Sequence, residues 1–262
     1  GNDLRWKIPT PDEVRKVDAK AFRRFWEPLL ASGPVEVLLF GDFETEKAVE
    51  ALRNTVGALK PRNAAAVSQK ASQVIFPVAN AKPLRFTHKG PKDQLAAVIG
   101  WPTGAGLAQI SEARQLEVLA ALFRDRLFEK FRSEQAASYN QDATATWPDE
   151  FASGGFLMAY SQMQPKDKDR FFAFANAVAA DLASTPVSKD ELQRALEPIL
   201  QYVERATTGN LFWMNELEGA TYNAARYEAL GRLYSDYSKV TPEQLQALAR
   251  KYLVTAKAWT MV

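Results

Sequence analysis

The chain has 262 residues, of which 33 are basic and 31 acidic, so its net charge at neutral pH is only +2. Because this excess is small and the basic residues are dispersed, there is no electrostatic argument for binding to nucleic acid or to an anionic membrane. The absence of cysteine excludes disulfides and thiolate metal sites, and no apolar run approaches the ~20 residues of a membrane span. The composition is that of a globular protein, and the length suits one large domain or one domain plus part of another.

The first 62 residues are predicted to form a helix, a strand and a second helix. Thr10-Pro11-Asp12-Glu13 has the composition of a capping box, and an apolar stripe follows it from Val14 to Leu29. A buried strand is expected at residues 35–40 and a helix over residues 44–58. Residues 63–82 contain an alanine run with scattered Ser, Gln and Pro, which is typical of a connector between domains.

Residues 83–262 are predicted to form a single domain of mixed α and β structure. Its central helix is expected to begin at Ser111, as the cap, and to carry one apolar stripe. The stripe comprises Leu116, Leu119, Phe123, Leu127 and Phe131. Strands are expected at 83–89, 95–101, 137–146, 154–163 and 258–262, the third and fourth as a hairpin, and further helices at 171–182, from Ser188, over 211–233 and from Thr241.

A weak internal repeat relates the two ends of the chain. Thr10-Pro11-Asp12-Glu13 is followed by a helix and the strand at 35–40, and Thr241-Pro242-Glu243-Gln244 is followed by a helix and the last strand. The first unit therefore reads as the tail of a preceding copy of the fold, and the second as the tail of a complete one. Chance reuse of a common cap explains the same pattern.

The usual catalytic motifs are missing from the sequence. A catalytic zinc site needs three protein ligands, and the chain has one histidine, His88, which a local hydrogen bond can satisfy. No nucleophile elbow is present, so a Ser-His-Asp site is not indicated. The run from Gly104 to Gly106 lacks the third glycine of a dinucleotide loop, and carboxylates such as Glu112 and Glu117 are expected on solvated faces.

One segment combines polar residues with a change of secondary structure. Arg132 lies at the end of the predicted central helix, and Tyr139 lies just inside the following strand. A cation is stabilised at a helix C-terminus, and an aromatic ring packs well on a strand, so a structural interpretation of both residues is available. From the pattern alone that interpretation is favoured.

The same segment resembles the pitrilysin/insulinase family of zinc metallopeptidases. That family has a C-terminal-half signature Leu-Phe-x-x-Leu-Arg, six residues and Tyr, and this chain has Leu127-Phe128-Glu129-Lys130-Phe131-Arg132, six residues and Tyr139. The one departure is Phe131 in place of leucine, which keeps the helix apolar. The order of strands, hairpin and helices agrees over nearly the whole chain, and residues 35–42 resemble the strand that ends a family domain.

The resemblance implies an α+β fold in which a mostly antiparallel sheet is covered by helices, as in one half of the metallopeptidase clamshell. Residues 1–62 would be the tail of a preceding domain, 63–82 a connector and 83–262 the C-terminal peptidase-family domain. The zinc would belong to a zinc-bearing N-terminal half or partner subunit, with no cofactor in this chain, and the substrate would be a peptide. Arg132 and Tyr139 would contribute to that site by hydrogen-bonding the scissile carbonyl oxygen.

By this interpretation the chain is part of a zinc-dependent metalloendopeptidase and is inactive alone. The family favours a bacterial periplasmic setting. The alternative is a non-catalytic scaffold or partner subunit of the same fold, against which the retained Arg132 and Tyr139 argue.

Overall fold

Four strands form one antiparallel sheet in the order β2-β3-β1-β4. The computed structural model describes residues 3–63, 70–133 and 138–262, without the side chains of residues 138 and 139. The strands are β1 (Leu95–Pro102), β2 (Ser138–Thr146), β3 (Phe156–Met163) and β4 (Trp259–Met261). The described helices are α1 (Pro11–Arg15), α2 (Ala19–Leu30), α3 (Thr45–Asn54), α4 (Ile110–Ser133), α5 (Lys168–Ser184), α6 (Lys189–Ala206), α7 (Asn210–Glu216), α8 (Ala225–Gly231), α9 (Leu233–Ser238) and α10 (Pro242–Tyr252).

The sheet combines a local hairpin with a long-range pair. β2 and β3 pair as the predicted hairpin, and β1 lies antiparallel to β3, so that Ala159 is opposite both Ile99 and Ala143. β4 then pairs antiparallel with the other edge of β1. The predicted α+β class with a mostly antiparallel sheet is therefore confirmed.

The core lies between one face of this sheet and helices α4, α5 and α10. All five predicted apolar positions of α4 are buried, and Trp101 of β1 packs against Phe123 with ring centroids 5.5 Å apart. Phe131 meets Phe174 edge-on at 5.1 Å. The helical period of the apolar residues therefore correctly predicted which side of α4 faces the sheet.

Two predicted strands are wrong for the same reason, the lack of a sufficiently long partner. Residues 35–40 form no strand with any other described segment, although Val35, Val37 and Leu39 alternate outward. At 83–89 only Leu84 forms a bridge, to Met261, and the pairing is parallel. Since β4 has three residues, it offers pairing for no more than a short stretch, and Phe86 remains exposed.

Three helix predictions also need correction. The stripe from Val14 to Leu29 is divided between α1 and α2, because the Asp18 carboxylate accepts from the Ala21 amide and starts a new helix. The central helix begins at Ile110, and the Ser111 hydroxyl donates to Asp236 at 2.7 Å instead of capping. Residues 211–233 contain α7 and α8 with a turn between them, where Gly219 has φ +81°.

The connector after residue 70 crosses the sheet face that the helices leave open. Ser153 bonds both the amide and the carbonyl of Val74, and Phe76 lies 6.1 Å from the Phe156 ring. Asn80 then binds the backbone amide and carbonyl of Thr260. We call residues 72–77 the strap, because they are fixed at the β2–β3 turn and run along the open face.

The strap, the open sheet face and residues 3–7 enclose an apolar groove of about 860 Å³. Its floor comes from Val98, Gly100, Phe156, Met158 and Trp259. Arg5 fixes one end by donating to the carbonyl of Gln73 at 2.5 Å. Within the described ranges, no helix is both long and apolar enough to span a membrane.

Candidate functional site

Arg132 lies in the last turn of α4 and points into solvent. Its side chain is 71% exposed, and the partner the structure describes for it is Glu129, 3.3 Å away on the preceding turn. An exposed ion pair of this kind contributes little to stability. The guanidinium is therefore available to a ligand without the loss of an important structural contact.

Tyr139 is the extra residue of a β-bulge. Ser138 is opposite Met163 and Asn140 is opposite Gln162, so two steps along β2 correspond to one step along β3. Bulges turn a strand locally and re-aim side chains, and they occur often beside active sites. The side chain of Tyr139 lies outside the described residues.

Phe128 is a neighbour of Arg132 that the sequence interpretation did not single out. The two residues are four apart, which places them on the same face of α4. Phe128 is 50% exposed, whereas Leu127 and Phe131 on either side of it are buried. Its position outside the apolar stripe was the available signal, because an aromatic residue on the polar face of a helix has no core to fill.

The open sheet face next to the bulge is polar. The Tyr160 hydroxyl donates to the Asp142 carboxylate at 3.1 Å across the β2–β3 pair, and this hydrogen bond raises the pKa of Tyr160. Further along the same face the surface becomes apolar at Met158 and Phe156, where the groove under the strap begins. The face thus presents polar groups near Tyr139 and an apolar trough beyond them.

On its other side, the last part of α4 is anchored by Arg126. The guanidinium binds both oxygens of Glu191, at 2.7 and 2.9 Å, and donates to Asp181 at 2.8 Å. Hydrogen bonding to Glu191 raises the pKa of Arg126 and lowers that of Glu191. The Ser188 hydroxyl caps α6 by accepting from the Glu191 amide, while the Glu191 carboxylate binds Arg126. These contacts fix α4 to α5 and α6.

Of the two carboxylates expected on solvated faces, Glu117 is exposed and Glu112 is partly buried, and both bind side chains of other helices. Glu112 accepts from Lys251 at 2.7 Å and from the Tyr252 hydroxyl, and Glu117 accepts from the buried Tyr237 hydroxyl. Burial raises the pKa of Tyr237, so its phenol remains a donor. These carboxylates connect α4 with the C-terminal helices.

The described residues do not fit a zinc ion. They contain no group of three or more His, Cys, Asp and Glu side chains placed to hold a metal. His88 has the predicted local bond, since its Nδ1 accepts from the Gly90 amide at 2.9 Å. Its Nε2 lies 3.2 Å from the Gln94 carbonyl oxygen, so both ring nitrogens are engaged locally.

Gly104 allows the backbone of its loop to pack closely against the Trp147 ring. A Cβ added there would lie 2.2 Å from the Trp147 ring, whose Nε1 donates to the Gly106 carbonyl at 3.0 Å. The loop is thus packed under the β2–β3 turn. This arrangement explains its glycines without a bound nucleotide.

Comparison with known proteins gives this geometry a context. The profile of the family described as the peptidase M16 inactive domain matches residues 16–199. No curated protein sequence matches the chain. Among solved structures, a conserved protein from Enterococcus faecalis has a TM-score of 0.74 at 14% identity over 96% of this chain and 57% of that one.

Two further solved structures have a similar fold at low sequence identity. The peptidase M16 inactive domain from Pseudomonas fluorescens has a TM-score of 0.71 at 16% identity, covering 96% of this chain and 58% of that one. A mutant of the ferredoxin protease FusC, in complex with Arabidopsis ferredoxin, has a TM-score of 0.73 at 12% identity, covering 98% of this chain and 28% of that one. The chain therefore spans 28–58% of the length of these proteins.

The α+β fold, with its antiparallel sheet covered on one face by helices, is shared with these solved structures, which include a peptidase M16 inactive domain. The chain belongs to the peptidase M16 inactive-domain family, because the profile covers well over half of it. The resemblance to the zinc metallopeptidase family drawn from Leu127 to Tyr139 is confirmed at the level of the family.

Proposed function

We propose that this chain is the non-catalytic half of a zinc-dependent metalloendopeptidase, and that it binds the peptide carbonyl beside the zinc of a complementary half. The zinc-bearing half supplies the metal and the activated water. This chain supplies hydrogen-bond donors. The observation that carries the proposal is the exposed Arg132 at the end of α4, close in sequence to a bulge at Tyr139.

The contrast between two arginines of α4 supports a role for Arg132 in binding. Arg126 is held by two carboxylates, whereas Arg132 is paired, among the residues that the structure describes, with one exposed glutamate. A guanidinium and a phenol are both donors, so together they can bind a carbonyl oxygen as it gains negative charge. Phe128, on the same helix face, offers an apolar surface for a substrate side chain.

The family supports a protein or peptide substrate. FusC was solved in complex with a ferredoxin, which is a whole protein. The open face of this sheet, polar near the bulge and apolar beyond it, suits an extended peptide, because such a chain presents side chains and backbone groups together.

The test uses the chain reconstituted with its zinc-bearing half. Tyr139→Phe removes one hydroxyl, and loss of one such donor costs roughly a hundredfold to a thousandfold in kcat, or about 3–4 kcal/mol. Arg132→Lys should also lower turnover, because an ammonium cannot reproduce the planar fork of a guanidinium. The quantities to measure are kcat, KM and Tm for each variant.

Matched controls are Arg124→Lys, on an exposed arginine of the same helix, and Tyr202→Phe, on an exposed tyrosine of α6. Both should keep full activity. The isolated chain should cleave no peptide. If Tyr139→Phe and Arg132→Lys both retain normal kcat/KM and Tm, the two residues have no role in the reaction and the proposal for them is wrong.

A further inference from the structure

The groove under the strap is apolar, and the charged residues in its described lining are already paired. Its walls are the strap and residues 3–7, and its floor is the open sheet face. Asp3 pairs with Arg5 at 2.6 Å, and Lys7 pairs with Glu13 at 2.6 Å. The volume of about 860 Å³ lies in the usual range for ligand sites, which are mostly apolar with few polar groups. An uncharged, apolar group therefore fits this groove best.

The strap is a fixed wall of this groove. The Ser153 hydroxyl accepts from the Val74 amide at 3.0 Å and donates to the Val74 carbonyl at 2.7 Å. Gly154 has φ +104°, and a Cβ added to it would lie 2.4 Å from the Val74 side chain. Further along, Gly100 leaves room for Phe76, whose ring would be 3.3 Å from a Cβ at that position. The groove is thus preformed, which reduces the conformational entropy lost when a ligand binds.

The groove lies on the same face of the sheet as the polar patch beside the bulge. On this face three cross-strand pairs of β2 and β3 follow one another: Asp142 with Tyr160, Thr144 with Met158, and Thr146 with Phe156. The first pair forms the polar patch, and Met158 and Phe156 of the other two line the groove. A peptide that leaves the bulge along β3 therefore passes from polar groups into the apolar groove.

The strand register gives the distance from the bulge to the groove. Asn140 is the first residue after the bulge, and Thr144, opposite Met158, is four residues beyond it. Thr146, opposite Phe156, is six residues beyond it. At about 3.4 Å per residue these steps span roughly 14–20 Å. Because an extended peptide rises by the same amount per residue, the side chain that reaches the groove lies about four to six residues from the one at the bulge.

We propose that the groove binds one apolar side chain of the peptide substrate, about four to six residues from the scissile bond on one side of it. The chain therefore selects peptides by an anchor residue that is remote from the reaction. The position of the scissile bond rests on the function proposed above, whereas the preference for an apolar side chain rests on the groove alone. Aromatic side chains are the best anchors, because each buries a large apolar area.

Peptide binding to the isolated whole chain tests the groove directly. The probes are a fluorescein-labelled polar peptide with one Phe and the same peptide with Ser in its place, and their affinities are measured by fluorescence anisotropy. We expect the Phe peptide to bind roughly tenfold more tightly or better, because burial of one large apolar side chain contributes that much. Equal affinities of the two peptides would overturn the proposal.

Two variants locate the binding in the groove. Met158→Glu puts a carboxylate on the floor, and Ile75→Asp puts one on the strap, where the 71% exposure of Ile75 makes a loss of folding unlikely to follow. Both should remove the preference for Phe, because a charge in an apolar site is costly. The matched controls Val78→Asp, just beyond the strap, and Met214→Glu, on α7, change exposed residues outside the groove and should keep the preference. If the preference survives in each of the two groove variants that folds, as judged by Tm, the proposal is overturned.

The spacing is tested with the zinc-bearing half present. In a set of peptides, Phe is moved one position at a time along both sides of a single cleavable bond. We expect KM to fall roughly tenfold for Phe about four to six residues from that bond on one side. The kcat should change little, because the anchor binds the substrate and the transition state alike. No dependence on position, or a maximum next to the cleaved bond, would overturn the proposed spacing. A silent Tyr139→Phe variant would contradict the proposed function and leave the anisotropy result intact.

Discussion

At the scale of single residues, the charged groups of α4 differ in what they bind. Arg126 is held by Glu191 and Asp181 in a partly buried network, whereas Arg132 at the end of the same helix is exposed. Charge-assisted bidentate pairs contribute to stability, and isolated exposed pairs contribute almost nothing. The first arginine therefore positions the helix end, and the second can serve a ligand.

The Glu191 carboxylate should make the stability depend on pH. Because Arg126 lowers its pKa, the folded state favours the ionised form. The ionised Glu191 carboxylate therefore adds to the free energy of unfolding. This contribution is complete above the pKa of glutamate in the unfolded chain, near 4.3, and is lost as the pH falls through the lower pKa of the folded state. We expect Glu191→Gln to cost about 1–2 kcal/mol at pH 7 and to approach the wild type near pH 3.

Urea unfolding of both proteins between pH 7 and pH 3 measures this difference. The control is Asp190→Asn, whose exposed carboxylate pairs with Arg194. It should change the free energy of unfolding by less than about 0.5 kcal/mol at any pH in the range. A Glu191→Gln deficit that persists undiminished at pH 3 would show that packing, and not ionisation, is responsible.

At the scale of elements, the two Thr-Pro helix starts allow a matched comparison. Thr241 and Thr10 form the same capping box, but α10 packs in the core and α1 buries no residue. Loss of an N-cap costs about 1 kcal/mol where the helix contributes to the cooperative fold. Thr241→Ala should therefore lower the free energy of unfolding by that amount in denaturant titrations, and Thr10→Ala should leave it unchanged. Equal losses would mean that α1 belongs to the same cooperative unit.

Local patterns predicted the elements whose contacts are close in the sequence. The period of α4 identified its buried residues, and the turn at residues 147–155 indicated the β2–β3 hairpin. Residues 35–40 and 83–89 alternate as strands do, but a strand also needs a partner, and pairing over a long separation leaves no local trace. The sequence shows a glycine at position 219, but no local pattern predicts that its amide donates to the Glu36 carboxylate.

The candidate site was predictable in part. The spacing of Arg132 and Tyr139 is a property of the sequence, and so was the position of Phe128 outside the apolar stripe. The bulge at Tyr139 was not predictable, because a bulge is defined by the register of two strands. The functional assignment of the pair remains a proposal, and so do the domain boundaries at residues 62 and 83.

At the scale of the whole molecule, the core begins at Ala97. No apolar residue of the described N-terminal part contributes to it, and the links between the two parts include exposed hydrogen bonds, from Arg5 to the Gln73 carbonyl and from the Gly219 amide to Glu36. The two parts should therefore separate with little loss of stability, as the proposed division at residues 63–82 requires.

A fragment of residues 70–262 should unfold cooperatively. Losing the exposed polar links should cost about 1 kcal/mol, which lowers Tm by roughly 2–4 °C in a domain of this size. Calorimetry of the fragment and of the whole chain gives both transitions. A fragment that unfolds without cooperativity, or with Tm lower by more than about 10 °C, would show that the N-terminal residues belong to the same unit.

The pairing of β4 with β1 also imposes an order of events during protein synthesis. β1 is complete once Pro102 has been added, but its partner strand begins only at Trp259. At about 5–20 residues per second the ribosome takes roughly 8–30 s to make the intervening chain. Throughout that interval one edge of an apolar strand is unpaired, and such edges are where nascent chains associate wrongly. We therefore expect this edge of β1 to need temporary cover, by a chaperone or by other segments of the growing polypeptide, until β4 has been made.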